Sequence, residues 1–230
     1  MKYTLGRTVV ISLGGSVLCP DSIDVTYIKH LRKLILKFIR RNRRFIIVTG
    51  GGRICRVYQK AAEDIAGVTD EDKDWIGIHS TRLHAHLMRT AFRKEASPVV
   101  IDSRHRITKL KYPVTIASGW RPGRSTDYIA VQLAADFAVP EVVIAGKPDH
   151  VYDRDHQRHF DARPFEVLAW KKYRRIVPSK WSPGMHAPVD PVAAKLAGER
   201  RIKAIVVNGR DMRNMLNLLT GRDFKGTIIE

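Results

Sequence analysis

Twice within its first 52 residues the chain runs through an apolar stretch of strand length, stops at a glycine turn and enters a helical pattern. The first unit is Arg7 to Leu13 (RTVVISL) with Gly14-Gly15-Ser16, and the second is Phe45 to Thr49 (FIIVT) with Gly50-Gly51-Gly52. Strands that are mostly apolar, without regular polar alternation, belong to parallel sheets covered by helices on both faces. Between the two units, residues 24 to 41 carry Ile28, Leu31, Leu34, Ile35, Phe38 and Ile39 at helical spacing, with basic residues opposite. That pattern predicts an amphipathic helix. The expected fold is therefore α/β, a three-layer αβα sandwich around a mostly parallel central sheet.

The alternation continues to the end of the chain. Helices are predicted from Gly52 through Ala66, over 74–94 and over 125–137, with short strand candidates at 98–101 and 113–117. A strand over 141–145 is followed by a polar stretch to Phe160 that has no periodicity. Helices over 190–198 and 211–220 bracket a strand at 203–207, and Thr227-Ile228-Ile229 closes the pattern. No repeat or low-complexity linker divides the 230 residues, so one domain is expected.

Composition narrows the partners. The formal charge of +18 attracts polyanions. The cations fall in separate runs, Lys29 to Arg44, Lys171 to Arg175 and Arg200 to Lys203, with no helix-turn-helix, zinc finger or paired-aromatic RNA signature to organise them. They read first as solvated surface, with nucleic-acid binding left open. No apolar run approaches the roughly 18 residues of a membrane span. No secretory signal opens the chain, so a cytoplasmic protein without a membrane partner is expected. Cys19 and Cys55 are too few for a disulfide framework. His79, His84 and His86 on one helix, and His150, His156 and His159 in one polar segment, lack metal-ligand spacing, so no metal site is assigned.

The strand-to-helix turns are where chemistry is expected. Free backbone amides and the positive helix end gather anions there, and glycine lets the main chain approach closely. The two glycine turns qualify, although each alone also reads as a tight turn. Arg56, one turn into the helix after Gly52, would reach the same anion with a bidentate guanidinium. A third turn, Gly119-Trp120-Arg121-Pro122-Gly123-Arg124-Ser125-Thr126-Asp127, brings hydroxyls and positive charge to another helix start, where Ser125 also reads as a plain N-cap. The chain has neither a Walker glycine-lysine loop nor the GxGxxG fingerprint, which disfavours P-loop enzymes and dinucleotide-binding dehydrogenases.

The order of these motifs resembles the amino-acid-kinase superfamily, and the archaeal-type UMP kinases in particular. The resemblance spans nearly the whole chain: Leu13-Gly14-Gly15-Ser16-Val17-Leu18, Val48-Thr49-Gly50-Gly51-Gly52 with Arg56 and Tyr58, Asp74-Trp75-Ile76-Gly77-Ile78, and Thr81-Arg82-Leu83. It continues through Pro122 to Asp127, Asp149, Val151-Tyr152, Asp155, Asp190 to Lys195 and Gly226 to Ile229. It implies a carbamate-kinase-like fold and transfer of the γ-phosphate of ATP to UMP, giving UDP for pyrimidine nucleotide synthesis, with Mg²⁺ accompanying ATP. By resemblance Gly51, Gly52 and Arg56 hold the UMP phosphate, and Asp74 and Gly77 lie beside its ribose and base. Trp120, Ser125 and Thr126 belong to the acceptor side. Gly14, Gly15 and Ser16 surround the transferring phosphoryl group, while Lys147, Val151, Tyr152 and Asp155 flank ATP. Gly15, Arg56 and Asp190 carry the catalytic assignment, Asp190 as the aspartate that organises the phosphate region or its metal. The implied division is an acceptor half at about 1–138 and an ATP half at about 139–230. Relatives assemble as hexamers built from dimers, so a homo-oligomer is expected. Read from the residues alone, Tyr152 is equally a core side chain, Asp155 a turn residue and Asp190 the N-cap of a helix with Pro191 at N1.

Three departures stand out. Many superfamily kinases carry a lysine two residues before the first glycine pair, and here that residue is Ser12. Losing a preorganised cation costs on the order of 10² to 10³ in rate unless another, such as Arg121, Arg124 or Lys180, replaces it. Trp120 replaces a small hydroxyl residue, which points to a reshaped acceptor pocket. Gly146-Lys147-Pro148-Asp149-His150 alters the turn beside the adenine site, because proline fixes φ and His150 removes a permissive glycine. Two further readings follow: a superfamily kinase for another small acceptor, and a binding protein of this fold with weakened or lost catalysis, in the manner of molybdenum-storage proteins.

Overall fold

The computed structural model describes residues 1–155, 157–180, 182, 185 and 187–230. The chain opens with β1 (Thr8–Leu13), the single turn α1 (Gly15–Leu18), α2 (Val25–Ile39), β2 (Arg44–Thr49), α3 (Gly52–Ala66) and α4 (Asp70–Ala91). Then come β3 (Val114–Ala117), α5 (Thr126–Asp136), β4 (Glu141–Gly146), β5 (Val151–Tyr152), β6 (Pro164–Phe165), β7 (Val167–Leu168) and α6 (Trp170–Ile176). The last elements are α7 (Pro191–Arg200), β8 (Lys203–Asn208), α8 (Met212–Thr220) and β9 (Thr227–Ile229).

The central sheet has seven strands in the order β3-β2-β1-β4-β8-β9-β7. Strands β3, β2, β1, β4 and β8 run parallel, whereas β9 is antiparallel to β8. Val9, Ile11 and Leu13 of β1 enter a core with α2, α4 and α8 on one face. Val10 enters a second core with α5, α6 and α7 on the other. This period-two partition of a strand that is apolar but for Thr8 and Ser12 is what a sheet covered on both faces requires. Helix α2 is capped by the Asp24 carboxylate, which accepts from the Tyr27 amide at 2.9 Å. It buries Tyr27, Ile28, Leu31, Ile35 and Phe38, each worth about 1.5–3 kcal/mol when fully buried. Lys29, Lys33 and Lys37 lie on its exposed side, as solvated charge does.

Three local expectations change. Helix α4 begins at Asp70, not Asp74, because Thr69 and Asp72 form a reciprocal capping box and three acids occupy the first turn. Residues 98–101 make no strand and contribute only the bridge between Ile101 and Ala117. The basic run at 171–175 lies in α6, which buries Trp170 and Tyr173. Their polar ends are satisfied, the indole N–H by the Ile202 carbonyl at 3.0 Å and the phenol by donating to the Val189 carbonyl at 2.6 Å. No helix among the described residues is long and apolar enough to cross a membrane.

Candidate active site

The carboxyl ends of β1, β2, β4 and β8 meet at one edge of the sheet, and the glycine turns form its floor. Gly50 donates to the Leu13 carbonyl at 2.9 Å, Gly14 to Ala145 at 3.0 Å and Gly209 to Gly146 at 2.8 Å, so neighbouring strand ends are tied together. The first two turns touch backbone to backbone. A Cβ on Gly15 would lie 2.0 Å from the Gly52 nitrogen, and a Cβ on Gly50 2.3 Å from the Gly15 nitrogen. Gly52 also adopts φ +63, a left-handed value that glycine accepts without strain. The amides of Gly15, Ser16, Gly51 and Gly52 have no acceptor among the described residues. Unpaired amides at adjacent helix starts favour anions.

On the α3 side, Arg56 is exposed and enters no ion pair or hydrogen bond among the described residues, whereas Arg53 pairs with Asp21 at 3.5 Å. The Asp74 carboxylate accepts from the Gly123 amide at 2.6 Å, which fastens α4 to the third turn. Gly77 faces α3, where a Cβ would stand 3.5 Å from the Cys55 sulfur. Trp120 turns towards the sheet edge, its indole donating to the Ile101 carbonyl at 3.3 Å while its ring packs on the second core.

The centre of the site holds two carboxylates. Ser125 caps α5 by accepting from Tyr128 at 3.0 Å, and its hydroxyl donates to Asp190. Asp190 in turn caps α7, accepting from the amides of Val192 at 2.8 Å and Ala193 at 3.0 Å. The starts of α5 and α7, and with them Thr126, are thereby joined. Asp127, in the first turn of α5, accepts from the Ser12 hydroxyl at 2.6 Å. It keeps slight solvent exposure, yet protein surrounds it closely, and burial together with the charge of Asp190 pushes its carboxyl up to about 7. Burial also raises Asp190, against the pull of Ser125, the two helix amides and Arg124. Of the three cations weighed as replacements for the lysine, Arg124 is the one whose charge acts on Asp190; its guanidinium lies over the Tyr128 ring at 4.8 Å.

The donor side is looser. Lys147 is exposed just beyond β4. Val151 is buried, with its amide donating to the Thr227 hydroxyl at 2.9 Å. The Tyr152 hydroxyl donates to Asp149 at 2.8 Å, and burial followed by that carboxylate pushes the phenol up to about 12. Asp155 is exposed, accepts from the Gln157 amide at 3.0 Å and pairs with Arg158 at 3.4 Å, the behaviour of a turn residue. Among the described residues no group of three or more His, Cys, Asp or Glu side chains could hold a metal ion, and His156 lies outside those residues.

Two side chains at this edge were absent from the expected site. Asp127 sat in the quoted third turn, and an acid just before the run Ile129 to Ala135, apolar but for Gln132, was the signal for it. His84, buried on α4 with Nδ1 at 2.8 Å from the Gly50 carbonyl oxygen, gave no such signal.

The amino acid kinase family model matches residues 7–208. A uridylate kinase of Thermococcus sibiricus is 32% identical over 226 residues, covering 96% of this chain and 99% of its own length. One from Thermoplasma volcanium is 31% identical over 229 residues, covering 98% and 99%. The crystal structure of uridylate kinase from Archaeoglobus fulgidus superposes with a TM-score of 0.82 at 30% identity, covering all of both chains. The UMP kinase structure from Bacillus anthracis, at 21% identity and a TM-score of 0.80, covers 99% of this chain and 97% of its own, and supports the fold. With the family model matching residues 7–208 and relatives of 30% identity or more covering nearly the whole chain, the chain belongs to the amino acid kinase family.

Proposed function

We propose that this protein is an ATP-dependent UMP kinase, which transfers the γ-phosphoryl group of ATP to UMP and releases UDP and ADP. The observation that carries this reading is the contact of the two glycine turns, a would-be Cβ of Gly15 lying 2.0 Å from the Gly52 nitrogen. Anions held on either turn must face each other at close range. Phosphoryl transfer needs mainly that: donor and acceptor held in line, and charge on the moving group offset.

In this reading residues 1–138 form the acceptor half and 139–230 the ATP half. Gly51, Gly52 and Arg56 receive the UMP phosphate, which Thr126 contacts from the third turn; Asp74 and Gly77 lie beside the ribose and base, and Trp120 and Ser125 complete the acceptor side. Gly14, Gly15 and Ser16 receive the γ-phosphoryl, while Lys147, Val151 and Tyr152 border ATP; Asp155 reaches it only if its pairing with Arg158 opens. Mg²⁺ comes with ATP and offsets phosphate charge. The Asp127 and Asp190 carboxylates, whose mutual repulsion a cation relieves, are the protein groups that suit it. Nucleotide pools place this activity in the cytoplasm.

The test is a coupled assay of ADP release over all common nucleoside monophosphates with ATP and Mg²⁺. UMP is expected to be the preferred acceptor, and no turnover on UMP removes the reading. Arg56→Ala is expected to raise the KM for UMP about 10- to 100-fold and leave the KM for ATP within about twofold, since it removes a guanidinium contact to one phosphate only.

A homo-oligomer belongs to the same proposal. Helix α3 leaves Tyr58 64% and Ile65 83% exposed, two turns apart on one face. Such apolar exposure suits a second copy of the chain. Light scattering is expected to give a mass of at least a dimer, and Ile65→Lys to lower it; a wild-type monomer at micromolar concentration refutes the assembly.

A further inference from the structure

His84 stands under the second glycine turn, 1% exposed, with Nδ1 at 2.8 Å from the Gly50 carbonyl oxygen. A carbonyl oxygen can only accept, so Nδ1 carries the hydrogen and the neutral ring has a bare Nε2. Nε2 is indeed buried and without a partner among the described residues. The ring therefore gives its single donor to the turn.

The consequence follows from peptide geometry. The Gly50 carbonyl and the Gly51 N–H belong to one planar trans unit and point in opposite directions. Holding the carbonyl towards α4 turns the Gly51 N–H away from it, on the side where it meets no acceptor among the described residues. A peptide between two glycines resists flipping weakly, because neither residue has a Cβ to restrict its dihedrals. Flipped, it would present an oxygen to the anion instead of a donor. The Thr49 hydroxyl, donating to the Thr81 carbonyl at 3.0 Å, steadies the strand end but does not itself hold this peptide.

We propose that His84 is a positioning residue that latches the Gly50–Gly51 peptide with its amide towards the acceptor's phosphate. The identity of that acceptor rests on the UMP kinase reading; the latch itself does not. Asparagine is the informative replacement, since its Nδ2 sits two bonds from Cβ as the histidine Nδ1 does, and it carries the same donor. His84→Leu keeps the branching at Cγ and removes the donor. The leucine variant is expected to raise the KM for UMP about tenfold while the KM for ATP stays within about twofold, and His84→Asn to return the UMP value to within about threefold of wild type.

Nitrogen-15 NMR of histidine-labelled protein supplies a readout independent of turnover, and is expected to find Nδ1 protonated and Nε2 bare. The latch is refuted if the proton sits on Nε2, if asparagine does no better than leucine, or if leucine leaves the acceptor KM unchanged or shifts both KM values and kcat together. Should the wild type not turn over UMP, titration with inorganic phosphate replaces the kinetics. Weaker phosphate binding in the leucine variant alone then upholds the latch while the acceptor assignment falls, and equal binding in all three proteins ends both.

Discussion

Gly15→Ala is expected to lower kcat/KM for UMP by at least about 10² and to destabilise the fold by roughly 1–3 kcal/mol, the range for overpacking a filled interior. The added methyl would stand 2.0 Å from the Gly52 nitrogen and 2.7 Å from both the Gly50 carbonyl carbon and the Gly51 nitrogen. All three are main-chain atoms, so no side chain can swing away. Nor can the turns drift apart freely, since Gly14 is tied to Ala145 and Gly50 to Leu13. Relief to ordinary contact needs more than 1 Å of separation, and a misplacement of that size between reacting groups costs on the order of 10² in rate. Gly67→Ala is the control. Gly67 caps α3 at φ +59 with nothing within 4 Å of a would-be Cβ, so it carries the cost of a left-handed alanine, about 1 kcal/mol, without the collision. Its activity is expected to stay near wild type. Thermal melts and steady-state kinetics on both variants decide the matter, and a Gly15→Ala enzyme of unchanged rate and stability would show that the turns do not need their contact.

The contrast between these glycines marks what a sequence can disclose. Strand, turn and helix were legible because the apolar runs and the glycines are local signals, and Gly14 to Ser16 and Gly50 to Gly52 were both named from them. That Gly15 and Gly52 collide with any side chain is a fact of two strands 36 residues apart lying side by side, as the register of Leu13 with Thr49 shows. Ser12 was legible only as a missing lysine. Its hydroxyl meets Asp127 across 115 residues, and no spacing rule reaches that far. Helix α6 was hidden because a seven-residue helix with four cations looks like surface charge until Trp170 and Tyr173 are seen to be buried. Edge strand β7, two residues long, lies below any periodicity at all.

Asp127→Asn is expected to make the protein more stable than wild type at pH 8 and slower by about 10² or more. An ordinary aspartate titrates near 3.8, but burial first and Asp190 second push Asp127 up to about 7. Between those values the folded protein holds a proton that the unfolded chain has released. The stability this proton confers is fully present below pH 4, is lost at about 1.4 kcal/mol per pH unit as the pH rises, and is gone above about pH 7. Over the whole window the loss is on the order of 4 kcal/mol. Asparagine has no proton to lose, and its side-chain oxygen can still accept from the Ser12 hydroxyl. The stability difference between variant and wild type should therefore be near zero at pH 4 and grow steadily to pH 7, then level. Chemical denaturation across pH 4–8 measures it, and a difference that does not change with pH overturns the assignment of the raised carboxyl. The rate should move the other way, because a second negative charge beside Asp190 has a use only if cations and phosphate oxygens gather there during transfer. A carboxylate that weakens the fold above pH 7 is expected to repay that cost in the reaction, and the paired stability and rate measurements on Asp127→Asn decide it.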